Sequence, residues 1–203
     1  SRSSLFTYES GLAVGDCEII GVSIAYELEI TGLLRCLELA GVPLWASERS
    51  DSDPIVMLGG PLTFSNPLPA SPFADVVLMG EAEDLVIKVV EAYQAASSRA
   101  GFLEVVAQFQ GAYVPSIHGE RLVAVAKARD EILPAYSIIR TADTELSNMH
   151  LVESERGCHR KCTFCVMRRS TNGGMRLASP EAIMATVPAD ARKVGLVGAA
   201  ASD

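Results

Sequence analysis

The stretch ADVVLMGEAED, residues 74–84, sets the pattern of the fold. A short apolar run is followed by a glycine and then by acids, which favour the first turn of a helix because its free N–H groups carry partial positive charge. CEIIGVSIAYELE at 17–29 repeats the design, and PIVMLGG at 54–60 is a further apolar run that ends in two glycines. Short buried strands that alternate with helices are typical of a parallel sheet covered by helices. We therefore predict an α/β fold.

The segments between these strands predict helices and one more strand. Residues 27–41 carry apolar side chains at helical spacing, with Gly41 as the C-cap. Residues 84–100 predict a second helix that stops at Gly101, and VPLWAS at 42–47 predicts a strand.

The remaining part of the chain divides at residue 150. AYVPSI and RLVAVA, joined at 118–120, predict a hairpin, and the stretch that follows has poor periodicity and is interpreted as a linker. His118 and His150 have no motif around them, which predicts surface or turn positions. LVESE at 151–155 predicts a strand, Ser179-Pro180-Glu181 the start of a helix, and KVGLVGAA at 193–200 a buried strand.

The carboxyl ends of the first three strands are candidate ligand positions, because ligands of open parallel sheets bind there. The alternative is that the glycines at these ends only permit tight turns. The candidate residues are Ser23, Tyr26, Gly59, Gly60, Gly80 and Glu81.

Three of the five cysteines lie in ERGCHRKCTFCVMRR, residues 155–169, at Cys158, Cys162 and Cys165. Three thiolates can hold three corners of a 4Fe–4S cluster and leave the fourth iron open for a catalytic ligand. A structural zinc site that adds His159, or three reduced cysteines without metal, are the alternatives. An odd cysteine count without a secretory signal argues against a disulfide framework, and Cys17 and Cys36 are predicted to be small core residues.

The net charge and the hydropathy of the chain exclude some classes of function. The net charge of −8 argues against nonspecific binding to nucleic acid or to anionic membranes. No apolar run approaches the roughly 18 residues of a membrane span, so we expect a cytoplasmic protein. Residues 156–176 nevertheless contain six Lys or Arg and no acid, which predicts a local positive field. That field would neutralise a cluster or attract an anionic substrate.

The stretch CHRKCTFC resembles the CxxxCxφC signature of radical S-adenosylmethionine (radical SAM) enzymes, in which φ is an aromatic residue, here Phe164. The resemblance implies that residues 151–203 begin a partial (βα)6 barrel. It further implies that the three cysteines bind a 4Fe–4S cluster and that S-adenosylmethionine chelates the open iron. Reductive cleavage then gives methionine and a 5′-deoxyadenosyl radical, with an electron donor such as flavodoxin or ferredoxin.

A second family signature, a glycine-rich turn with an acid, contacts the methionine amino group. Its place is held here by Gly198, Ala199 and Ala200, where the first glycine matches and the acid is absent. We expect these three residues to contact S-adenosylmethionine. No residue is assigned as catalytic, and the substrate, a small molecule or a macromolecule, is open.

The first half resembles the Rossmann- or flavodoxin-like cobalamin-binding domain that precedes the radical core in one subclass. The matching stretches are IIGVSIAYELE, VMLGGPLTFSNP and ADVVLMGEAED. This resemblance makes cobalamin a further candidate cofactor, although no Asp-x-His-x-x-Gly motif is present to supply a cobalt ligand. The opening strand and helix of such a domain are missing.

The expected organisation is a cobalamin-binding-like domain at 1–110, a hairpin and linker at 111–150, and the start of the radical SAM core at 151–203. Only 38 residues follow Cys165, so we expect a fragment with an incomplete barrel. The competing hypothesis is a noncatalytic module that binds a corrinoid or another small molecule and carries a vestigial cluster loop.

Overall fold

The computed structural model describes residues 4–160, 162–165 and 174–199. The chain divides into two compact units, an N-terminal unit at 1–127 and a C-terminal unit at 128–203. Both contain helices and parallel strands, so the α/β class predicted from the sequence is confirmed. The domain boundaries at 110 and 150 stay a prediction.

The N-terminal unit is built on one sheet in which strands that follow each other along the chain are neighbours. The first three strands are parallel, with Ile19 opposite Ile55 and Met57 opposite Val76, and the fourth is antiparallel to the third. The strands are β1 (Ile19–Ser23), β2 (Ile55–Gly59), β3 (Val76–Leu78) and β4 (Ala112–Tyr113).

The central strands are buried on both faces, which explains their continuous apolar runs. Val56 and Leu58 of β2 contribute to the core on one face, together with Leu33 and Leu37 of a helix. Ile55 lies in a second core on the other face, where it packs among helix residues that include Val89 and Phe102. Two helix layers therefore enclose the sheet.

Five helices accompany this sheet, among the residues that the structure describes. They are α1 (Ile30–Ala40), α2 (Leu62–Ser65), α3 (Glu83–Ala95), α4 (Arg99–Val106) and α5 (Pro115–His118). Gly41 caps α1 at φ 73°, as predicted. No helix in the described part of the chain is both long and apolar enough to cross a bilayer.

Four local predictions were wrong. Residues 42–47 form no strand; their last two residues belong to a 3-10 turn, Ala46–Glu48, because the chain turns there to bring Arg49 into the core. The predicted helix at 84–100 breaks after Ala95, and α4 begins after Ser98, whose Oγ accepts from Gly101 N. Gly101 thus lies inside α4 instead of ending a helix. Cys36 was expected in the core but is exposed.

The hairpin predicted within 112–126 does not form. Only the first two residues of its first arm form a strand, β4, which pairs with β3, and the end of that arm forms α5. The second arm reaches the end of β3, where Ala126 bridges Gly80. The first arm thus pairs along the edge of β3 that β2 leaves open, and the second pairs with Gly80, two residues past that strand.

The C-terminal unit contains a strand–helix–strand arrangement with parallel strands. Strand β5 (His150–Glu153) pairs in register with β8 (Val194–Val197), and α6 (Pro180–Thr186) lies between them in the sequence. Strand β6 (Glu155–Arg156) pairs antiparallel with β7 (Arg176–Leu177). Ser179 caps α6 through a bond from Ala182 N, as predicted.

Two predictions about this unit were wrong. His150 was expected at the surface but is 1% exposed, because it is the first residue of β5 and its ring packs near that of Tyr136. Strand β8 was expected to be buried, yet Leu196 is 59% exposed. In the described residues β8 is bonded to β5 alone, so one of its edges carries no neighbour.

Asp75 links four segments of the N-terminal unit. Its Oδ2 accepts from Val56 N at 2.8 Å, from Arg49 Nη1 at 2.8 Å and from Arg99 Nη2 at 3.3 Å. The Asp75 and Arg49 side chains are 3% and 0% exposed. Burial lowers the pKa of Arg49 from its ordinary value, and the neighbouring Asp75 carboxylate opposes that shift.

We expect Asp75→Ala to lower the free energy of unfolding by about 3–5 kcal/mol, because it leaves a buried guanidinium without its carboxylate. Urea unfolding followed by circular dichroism measures the loss. The matched control is Arg35→Gln, which breaks the exposed Arg35–Glu38 pair and should cost less than about 1 kcal/mol. Equal losses in the two variants would contradict the role given to Asp75.

Candidate functional site

The three cysteines of the motif lie in one loop that begins directly after β6. All three thiols are free and half-buried. Cys158 Sγ accepts a hydrogen bond from Arg160 N at 3.4 Å, and Cys165 N donates to Cys162 O at 3.4 Å, which closes a tight turn around the second and third cysteines. Phe164, between them, is 89% exposed.

This donor set fits an iron–sulfur cluster in its chemistry. Thiolates are the usual ligands of such clusters, and a backbone N–H aimed at a sulfur stabilises the thiolate form. Among the described residues no group of three His, Cys, Asp or Glu side chains is close enough to hold one metal ion. A cubane cluster makes a different demand, because each thiolate binds a different iron.

Strand β6, which leads into this loop, begins two residues after the end of β5, whose parallel partner is β8. Ser154 N donates to Val197 O at 2.9 Å, which continues the pairing one step past β5. Glu155 follows and is 7% exposed. A Cβ built on Gly198 would contact Glu155 Cγ and lie 2.9 Å from both Cδ and Oε1. The Glu155 carboxyl group therefore lies directly against the Gly198 backbone.

Sequence reasoning missed Glu155. Gly198 and Ala199, both exposed, were predicted to contact S-adenosylmethionine, and Ala200 lies outside the described residues. Glu155 and Gly198 are 43 positions apart, so no local pattern joins them. The available signal was that Glu155 is the last acid before the cationic segment that holds the cysteines.

Two arginines of the cationic segment are paired with acids. Arg156 Nε and Nη2 donate to the two oxygens of Glu153 at 2.7 and 2.8 Å, and Arg176 Nη1 donates to Asp130 Oδ1 at 2.7 Å. Together with Glu155 they line a cavity of about 380 Å³ in the C-terminal unit. Lys161, Arg168 and Arg169 lie outside the described residues.

In the N-terminal unit, the candidate residues at the ends of β1 and β2 pack against each other. Gly60 has φ +91°, and a Cβ there would lie 2.6 Å from Ser23 Oγ and 2.7–2.8 Å from Ile24 O and N. Ile24 N donates to Gly59 O at 2.9 Å. Gly60 is therefore required by a close approach of two backbone segments. Tyr26 is 52% exposed.

The end of β3 is covered in the same way. Gly80 has φ +109°, and a Cβ there would lie 2.6 Å from Ala126 N. Ala126 N donates to Met79 O at 2.7 Å, and Glu81 N donates to Ala126 O at 3.1 Å. The second arm of the hairpin that was predicted thus fills the space beside Gly80, whereas Glu81 lines a cavity of about 380 Å³.

These contacts leave no room for a ligand beside Gly60 or Gly80, whereas a Cβ at Gly59 meets nothing within 4 Å. A ligand cradle would leave open space beside its glycines, whereas the chain's own backbone fills the space beside Gly60 and Gly80. The sequence also lacks a motif histidine for the cobalt. The tight-turn alternative for these two glycines therefore accounts for the contacts that the structure describes.

Comparison with protein-family models gives a match in the N-terminal part of the chain. Residues 1–115, more than half of the chain, match the family model described as "Radical SAM proteins, N-terminal". No curated protein matches the chain. The matched range ends before the cysteine motif, so the family match and the motif are separate indications from different parts of the sequence.

Gly60→Ala should destabilise the N-terminal unit by about 1–3 kcal/mol, because it combines positive φ with a Cβ that meets the Ile24 backbone. Gly59→Ala is the matched control, because a Cβ at Gly59 meets nothing within 4 Å. Thermal unfolding of both variants measures the difference. Equal stability would contradict the packing role of Gly60.

Proposed function

Since this chain belongs to the radical SAM proteins, we propose that Cys158, Cys162 and Cys165 hold a 4Fe–4S cluster and that the protein cleaves S-adenosylmethionine reductively. The observation that carries the proposal is that three free thiols lie in one loop, which follows β6 shortly after the carboxyl end of β5. When bound, such a cluster supplies one electron and an iron with an open coordination position.

The protein's own residues contribute binding and orientation. The three thiolates hold the cluster, and the Gly198-Ala199 turn offers backbone groups to the methionine part of S-adenosylmethionine. We propose that the C-terminal unit is the start of a partial (βα)6 barrel. The parallel pair β5–β8, with α6 between its strands in the sequence, supports this assignment.

We propose that the N-terminal unit has a cobalamin-binding-like fold without a role for cobalamin. The parallel order of β1, β2 and β3 supports the fold, and the backbone that fills the space beside Gly60 and Gly80 argues against the cofactor. No step of the proposed function uses cobalamin. The noncatalytic corrinoid-binding alternative would depend on the same filled positions, so no described contact favours it.

The proposed reaction has two further requirements. An electron donor such as flavodoxin or ferredoxin must reduce the cluster, and the low-potential chemistry suits a cytoplasmic protein. The substrate, a small molecule or a macromolecule, supplies the hydrogen atom that is abstracted. Arg156 and Arg176 are paired with acids, which favours a structural role for them over capture of an anionic substrate.

The test is anaerobic iron and sulfide reconstitution followed by electron paramagnetic resonance of the reduced protein, with and without S-adenosylmethionine. We expect a 4Fe–4S signal that shifts when S-adenosylmethionine is added, because the open iron gains ligands. With dithionite as the reductant, methionine and 5′-deoxyadenosine should form.

Cys162→Ala should abolish both the signal and its shift, because two thiolates cannot retain the cluster. Cys36→Ala is the matched control, because it removes an exposed thiol of α1 outside the motif and should leave iron content unchanged. Uptake of zinc in place of iron, or a cluster that does not respond to S-adenosylmethionine, would refute the proposed function.

A further inference from the structure

We infer that two copies of this chain associate, with the segment at residues 26–29 of one copy bound in a cationic groove of the other copy's C-terminal unit. The groove surrounds Ile138 and Ile139, adjacent isoleucines that are 91% and 81% exposed. Apolar side chains that lie together at a surface mark interaction sites. Neither surface contains a cysteine of the motif, so the inference does not depend on the proposed function.

The groove combines apolar side chains with positive charge. It has a volume of about 720 Å³ and is lined by Ile138, Ile139, Arg140, Asn148, Asp190 and Arg192. Two arginines and one aspartate give this lining a net charge of +1. Arg140 Nη2 donates to both carboxylate oxygens of Asp190 at 2.9 Å, so these two charges offset each other. Arg192 is exposed and forms no ion pair with any residue that the structure describes.

The segment at residues 26–29, Tyr-Glu-Leu-Glu, has the complementary composition. Leu28 is 76% exposed, and Tyr26 and Glu27 before it are exposed as well. Glu29 Oε2 accepts from Ala25 N at 2.6 Å, which holds the segment in one conformation. Residues 21–34 contain these two glutamates and no Lys or Arg, so no cation nearby in the sequence offsets their charge.

Each of these two surfaces supplies what the other lacks. An apolar groove with an arginine outside any described ion pair fits a segment that offers an apolar side chain beside an acid. In the inferred contact Leu28 packs on Ile138, and Glu27 pairs with Arg192. Because the groove and the segment are different surfaces, one copy can offer both of them at the same time.

Sedimentation velocity of the full chain over a concentration series tests the inference. A thiol reductant is present, so that the exposed Cys36 cannot cross-link copies. We expect a reversible association that weakens as the salt concentration rises, because exposed charges are screened. Ile138→Asp and Leu28→Lys should each weaken it about tenfold or more, because each substitution places a like charge against the other surface.

The matched control is Ile87→Lys. It replaces an exposed apolar residue on α3, outside both surfaces, and should leave the association unchanged. A mixture of Ile138→Asp copies with Leu28→Lys copies contains one intact segment and one intact groove. Pairs should therefore form in the mixture more readily than in either variant alone, a result that only two different contact surfaces explain.

An exchange of charges tests the pairing of Glu27 with Arg192. Glu27→Arg and Arg192→Glu should each weaken the association, because each brings like charges together. A chain that carries both substitutions should recover the original affinity to within about threefold, since every contact again joins opposite charges. Both side chains are exposed, so these variants remain informative even if an Ile138 or Leu28 substitution disturbs folding, which circular dichroism would show.

A chain that stays monomeric over the whole series would overturn the inference. So would an association that resists the single substitutions, that Ile87→Lys weakens equally, or that the double exchange does not restore. Loss in the groove variants without loss in the segment variants would mean that the groove takes a different partner, which also overturns it. None of these outcomes bears on the cluster, which reconstitution tests separately.

Discussion

The buried carboxylate of Asp75 is the interaction on which the N-terminal unit depends. One of its oxygens accepts from the backbone of β2 and from two arginines, and Arg49 in turn donates to the carbonyls of Pro43, Leu44 and Phe73. Separating any of these segments would leave a charge in the core without its partner, which is costly. The network therefore fixes the positions at which β2 and β3 begin. Because the glycine turns follow the other ends of these two strands, it also fixes the positions of those turns.

The sequence predicted those features that short-range patterns encode. The apolar runs at β1, β2 and β3, the C-cap at Gly41 and the N-cap at Ser179 each depend on a few adjacent residues. The strand that leads toward the cysteine loop was predicted for the same reason. The cysteine spacing also lies within eight positions, so the cluster motif could be predicted without the fold.

Features that depend on contacts between distant residues could not be read from the sequence. Residues 42–47 have strand-like composition, but Arg49 bonds to Pro43, Leu44 and Asp75 and so draws the chain into a turn. The predicted hairpin had suitable strands, but its first arm pairs with the edge of β3 and its second arm with Gly80 just past β3. Glu155 and Gly198 meet only because β5 and β8 pair in one register.

Glycines lie at the ends of parallel strands in both units, but the atoms that pack against these glycines differ between the units. Gly60 and Gly80 admit backbone atoms of the chain itself, so the carboxyl edge of the N-terminal sheet is closed at those two points. Gly198 instead leaves room for the carboxyl group of Glu155, a residue that lies three positions before the first of the three free thiols. Backbone that fills a turn satisfies its own hydrogen bonds and offers little to a ligand, whereas a carboxylate and thiols offer charge and coordination. The same residue type at equivalent strand ends thus makes room for the chain's own backbone at the N-terminal edge and for a carboxyl group at the C-terminal edge.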